Sequence, residues 1–84
     1  MASLRVGGVL FVAYPQDYTP RHVHGFTGEV EVIVDLRANR TVALVDRPDA
    51  IRPGNAKRSS VRRILNEAAA HSDELVALWE KMHG

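Results

Sequence analysis

The sequence predicts an α+β domain, a small antiparallel β-meander of three to four strands packed against two C-terminal helical segments. Three observations carry this reading. Val30, Val32, Val34 and Leu36 alternate with Glu29, Glu31, Ile33 and Asp35, the period of a strand with one apolar face. Residues 4–14 are crowded with Val, Leu, Phe and Tyr, as in a strand buried on both faces. Beyond residue 57 the period changes. Val61, Ile64, Leu65 and Ala68, and then Leu75, Leu78, Trp79 and Met82, recur at helical spacing.

Taken in order, residues 4–14 form the first strand, with Gly7-Gly8 marking a bulge or a close backbone approach. Residues 15–20 are a loop, since Pro15 and Pro20 bracket polar turn formers. Residues 21–26 make a short strand, and Thr27-Gly28 turns the chain into the alternating strand 29–36. Arg37-Ala38-Asn39 is a hairpin loop in which Asn39 tolerates a left-handed conformation, and residues 40–46 return as its partner strand. Pro48, Pro53 and Gly54 make residues 47–56 an irregular crossover. The helices occupy about residues 57–83. Their two apolar sets are in phase, so one long helix would satisfy them. Ser72 followed by Asp73 and Glu74 reads as an N-cap with an acidic first turn, which favours two helices broken at His71-Ser72. Short links between strands favour a meander, and the apolar helix stripe covers one sheet face.

With 84 residues this is a single domain spanning 1–84, of a size that buries only roughly 60% of the surface its unfolded chain exposes. Cysteine is absent, which excludes disulfide staples and thiolate zinc sites. No charged N-terminal region leads into a long apolar run, and the apolar stretch 6–14 is too short to span a bilayer as a helix. The expectation is a soluble, cytoplasmic protein that makes no use of a membrane.

The chemistry-bearing residues cluster in Pro20-Arg21-His22-Val23-His24-Gly25. In an extended strand His22 and His24 share a face with Cα atoms roughly 6.5–7 Å apart, close enough to work on one phosphate or one metal ion. As a metal site the pair needs a third ligand, with Asp17, Glu29, Glu31 and His71 as the options; no complete zinc signature is present. As an acid–base pair, one imidazole takes a proton while the other donates one. Phosphodiester transesterification needs those two roles plus a cation for the pentavalent transition state, supplied by Arg21 or by an arginine of the crossover. The bland alternative is that the histidines only hydrogen-bond backbone at a strand end. His71 falls in line with Ile64 and Leu78 on the inward helix face, as an additional site residue or as a core or capping one. His83, near the C-terminus, is expected to fray.

Net charge is +1 but unevenly spread: residues 37–63 carry +6 between segments of −2 and −3. Lys57, Arg58, Arg62 and Arg63 crowd the start of the first helix, the reverse of what a helix dipole favours. Free N–H groups there already attract anions. With Arg47 and Arg52 they form the candidate phosphate- or RNA-binding set; the alternative is a solvated charged face. Trp79, Phe11 and Phe26 read as core rather than stacking platforms.

The order of a Gly-containing first strand, Asp-x-x-Pro-x-His-x-His, Gly-Glu opening a strand and a C-terminal His-x-x-Glu-Leu-x-x-x-Trp resembles a small bacterial family, domain of unknown function 4160. The matching positions are Gly8, Asp17, Pro20, His22, His24, Gly28, Glu29, His71, Glu74, Leu75 and Trp79. Members of that family resemble toxin components of two-gene toxin–antitoxin modules, some of which block translation. The resemblance implies a small antitoxin partner and adds weight to His22 and His24. Arg21 stands where the family usually has a second proline, and residues 47–56 exceed the usual family link.

The leading expectation is a toxin acting on RNA or the translation machinery, with His22, His24 and Arg21 as reactive groups and no metal or other cofactor. If it is an enzyme, this makes it a metal-independent ribonuclease. A non-catalytic module that docks a partner through a sheet edge or the basic helix, and a metal-binding protein using His22 and His24, are the two alternatives.

Overall fold

The alternation of residues 30–36 and the Val-rich N-terminus build one antiparallel sheet. The computed structural model describes residues 1–83 as β1 (Ala2–Val6), β2 (Val9–Ala13), β3 (His22–Thr27), β4 (Val30–Leu36), β5 (Val42–Leu44) and β6 (Ile51–Arg52), followed by α1 (Arg58–Ala70) and α2 (Ser72–His83). Spatial order follows chain order from β1 to β5, and β6 pairs with β4 alongside β5. The expected α+β class with two C-terminal helices holds.

The sheet has six strands rather than three or four, for two local reasons. Residues 4–14 are not one strand. Gly7 (φ 56°) and Gly8 (φ 78°) both take positive φ, as a tight two-residue hairpin turn requires, and Val6 faces Val9 across it. At Gly7 a Cβ would also run into the Glu67 carboxylate of α1. The second reason lies in the crossover, which is not wholly irregular: Ile51 and Arg52 pair with Val32 and Glu31.

Smaller shifts follow from hydrogen bonding. The β3–β4 turn is Gly28-Glu29, because Thr27 still pairs with Val30 as the last rung of the ladder. In the β4–β5 loop, Arg40 (φ 66°) takes the left-handed conformation expected of Asn39. The Asn39 side chain instead accepts from the Thr41 hydroxyl.

The core lies between one sheet face and the helices. Phe11, Val23, Val32 and Val34 meet Ile64, Ala68, Leu75 and Trp79 there. Gly25 sets the spacing, because a Cβ at that position would sit 2.6 Å from Ile64 Cγ2 and 2.9 Å from the Phe11 ring. Only a glycine on β3 lets α1 settle this close. Ile33, on the opposite face with Glu31 and Asp35, is also fully buried. Its backbone continues the pairing along that edge of β4: Ile33 N–H donates to Ala50 O and Val45 N–H donates to Ile33 O.

The helical break falls where Ser72 signals it. α1 ends at Ala70, and His71 (φ −121°, ψ 30°) separates it from α2. The Lys57 N-cap of α1 has no side-chain hydrogen bond and no acid in the first turn, whereas α2 carries Asp73 and Glu74 early and Lys81 and His83 late. Among the described residues no helix is long and apolar enough to cross a membrane.

Candidate functional site

Strand geometry puts His22 and His24 two residues apart on β3, and their rings are 5.6 Å apart. The preceding loop brings Asp17 back to both. Asp17 Oδ2 lies 3.2 Å from His24 Nε2 and 3.4 Å from His22 Nε2. One potential ligand atom from each of Asp17, His22 and His24 falls within 4.8 Å of the others. The register then adds Glu31. His24 pairs with Ile33 across the sheet, so Glu31 is a diagonal neighbour on the same face, and its Oε2 lies 2.8 Å from His24 Nδ1.

Hydrogen-bond capacity orders the protons. A carbonyl only accepts, so the 3.0 Å contact to Pro20 O means that His22 Nδ1 carries hydrogen and donates. The Nε2 of a neutral His22 is then a lone pair facing Asp17. His24 has a carboxylate at each nitrogen, and donating to both at once is open only to the imidazolium. All four side chains are mostly buried, the histidines 10% and 12% exposed and the carboxylates 18% and 19%. At that depth unpaired charge is costly. Tyr14 meets the His24 ring edge-on at 4.9 Å, and Trp79 lies 5.4 Å from His22.

Asp17 and His22 also line a cavity of about 560 Å³, walled by Tyr18, Asp35, Asp46 and Arg47 among others. Three carboxylates against one guanidinium make its walls acidic. Tyr18 stands at its rim, 84% exposed.

The other expected site residues are distributed differently. Arg21 turns to α2 and pairs with Glu80 at 3.6 Å. Arg47 grips Asp49 through two hydrogen bonds of 2.9 and 2.7 Å, and Arg52 reaches Asp49 at 3.3 Å and Glu31 at 3.9 Å. The Arg47 hydrogen bonds hold the Asp49 carboxyl below its ordinary range. Lys57, Arg58, Arg62 and Arg63 remain at the start of α1 with no ion pair among the described residues. Glu29 is exposed in the β3–β4 turn. His71 does not extend the cluster; it is held at the helix joint by Glu74 at 2.7 Å and Glu67 at 3.7 Å.

His83 is the residue that sequence reasoning missed. It is not frayed. Its ring stacks on Trp79 at 3.7 Å, and its Nε2 donates to Asp17 O at 3.0 Å. Its spacing of four from Trp79 was the available signal. Among the candidate third ligands, the fold selects Asp17 and places Glu31 behind His24.

Comparison of the chain with protein-family models, curated proteins and solved structures found no match. The site is therefore defined by its own geometry: a paired-histidine, paired-carboxylate cluster on β3, β4 and the loop before β3, beside an acidic cavity.

Proposed function

We propose that this chain is the toxin component of a bacterial toxin–antitoxin module, acting on RNA or the translation machinery from the Asp17–His22–His24 cluster and restrained by a small antitoxin protein. The observation that carries this reading is the convergence of one motif. Asp17, Pro20, His22 and His24, the positions on which the resemblance is centred, contact one another through side chains or backbone. A polyanionic target is favoured by Lys57, Arg58, Arg62 and Arg63 around the uncapped start of α1, where free N–H groups add to their charge.

Metal-independent cleavage by the histidines meets one physical obstacle. It would place a phosphate between two imidazoles, and the Asp17 carboxylate already faces both Nε2 atoms. A bare carboxylate there repels a phosphate, so a proton or a cation must offset it first. Arg21 does not supply that charge while it is paired with Glu80.

The test is expression of the protein alone in a bacterial host beside His22→Ala/His24→Ala, following growth and total RNA. Growth arrest with RNA fragmentation in the wild type only is the expected result. Arrest that persists unchanged in the folded double variant sinks the catalytic role. It would favour a docking module instead, for which β1 at one edge of the sheet and β5 at the other, each paired on one side only, offer strand edges.

A further inference from the structure

The geometry points to a divalent transition-metal site, with zinc as the best-fitting ion, formed by His22 Nε2, His24 Nε2 and Asp17 Oδ2. The inference concerns the same cluster but stands on its geometry, whether or not the target is RNA.

Spacing is the first argument. Ligand atoms about 2.1 Å from a tetrahedral zinc lie about 3.4 Å from one another. Asp17 Oδ2 lies 3.2 and 3.4 Å from the two Nε2 atoms, matching two edges of such a polyhedron, and one ligand atom from each of the three residues falls within 4.8 Å of the others. The donor types are the second argument. Two imidazoles and one carboxylate, with no thiolate, suit zinc and its first-row neighbours rather than calcium or magnesium.

The outer contacts are the third argument and the most specific. A metal-bound histidine nearly always donates its remaining N–H to a carboxylate or a backbone carbonyl, which fixes the tautomer. Both histidines are equipped in this way. His22 Nδ1 donates to Pro20 O at 3.0 Å, and His24 Nδ1 faces Glu31 Oε2 at 2.8 Å. In the neutral rings that a metal requires, these partners leave both Nε2 lone pairs on the Asp17 side. Arg52 lies 3.9 Å from the other Glu31 oxygen, so a positive charge stands near the supporting carboxylate without a hydrogen bond to it.

A bound cation also resolves two electrostatic difficulties. It offsets two mostly buried carboxylates, and it supplies the positive charge beside the cavity that Arg21 does not. Three protein ligands leave a position open, the arrangement of catalytic rather than structural zinc. The cavity lined by Asp17 and His22 gives access, so the ligand class is water or an anionic oxygen.

The test uses untagged full-length protein, stripped with a chelator and titrated with zinc and, separately, with cobalt(II). One zinc per chain is expected, and cobalt should develop the visible absorption of a four- or five-coordinate site. His24→Ala should abolish stoichiometric binding. Glu31→Gln, which leaves all three ligands in place, should weaken it about 10- to 100-fold, and His71→Ala should leave it unchanged. Should His24→Ala fail to fold, Asp17→Asn, which preserves side-chain shape, carries the same prediction. Absence of one-to-one binding by the folded wild type overturns the inference, as does undiminished binding by folded Asp17→Asn. Zinc binding without growth arrest or RNA damage upholds the metal site and removes the RNA reading. Chelator-insensitive RNA cleavage by a protein that binds no zinc does the reverse.

Discussion

His83 and Asp17, 66 positions apart, are joined by a 3.0 Å hydrogen bond from the imidazole Nε2 to the Asp17 carbonyl. The last turn of α2 thus holds the loop that carries the carboxylate of the site. Trp79, stacked on His83 and 5.4 Å from His22, lies between those two rings.

Removing the His83 ring should therefore loosen that loop. His83→Ala loses a hydrogen bond of about 0.5–1.5 kcal/mol and an aromatic pair of similar worth. A loss of about 1–3 kcal/mol by urea denaturation is expected, with weaker zinc binding although no ligand has changed. His83→Phe keeps the stack and removes the buried Nδ1, which has no hydrogen-bond partner, so it should cost less than alanine. Equal stability losses for the two variants would contradict this account.

Gly25 is a second pressure point. Gly25→Ala should destabilise the fold by about 1–3 kcal/mol through overpacking, because the new methyl meets Ile64 Cγ2 and the Phe11 ring. Ile64→Ala removes one of those clashes at its own cavity cost. Thermal unfolding of the double variant should show a favourable coupling of about 0.5–3 kcal/mol. Simple additivity would mean that the strand and helix are not pressed together at this point.

The start of α1 sets stability against function. Lys57 occupies the N-cap with no side-chain cap, and Lys57→Ser should stabilise the protein by about 0.5–1 kcal/mol. If the basic start contacts RNA, the same change should weaken growth inhibition and flatten the salt dependence of RNA binding. A variant that is more stable and equally inhibitory would remove Lys57 from the interface.

Asp49 carries a predictable acid sensitivity. Its carboxyl is held below the ordinary value of 3.8, chiefly by the Arg47 hydrogen bonds; desolvation, the next influence in size, opposes them, and the Arg47 and Arg52 charges add smaller lowering contributions. A depressed folded-state value means that the contribution is complete above the unfolded value and is lost as pH falls below 3.8 through the lowered one. Asp49→Asn should therefore differ more from wild type at neutral pH than in strong acid, and added salt should shrink the difference, since the group is exposed. Denaturation midpoints at the two pH values check the sign.

Much of the sheet was legible because strand periodicity is local. The alternation of Val30 to Leu36 reports its own faces, and Ser72-Asp73-Glu74 reports its own helix start. The first hairpin was missed for an equally local reason. Residues on both sides of Gly7-Gly8 are apolar, so the pattern runs unbroken across the turn, and only the two positive φ angles separate one strand from two. β6 has just two residues, too few for any period to register.

By itself, then, the sequence determined an α+β chain with a His-x-His strand, a broken helical pair and a basic helix start, since each depends on neighbours within a few residues. Tertiary structure alone decided that Asp17 rather than Glu29 or His71 completes the histidine pair, that Glu31 supports it from behind, that Arg21 is drawn off to Glu80, and that His83 fastens the Asp17 loop. The physical reason is shared. Histidine and carboxylate side chains accept any partner of suitable charge within reach, and reach is set by how strands register and where α2 comes to rest.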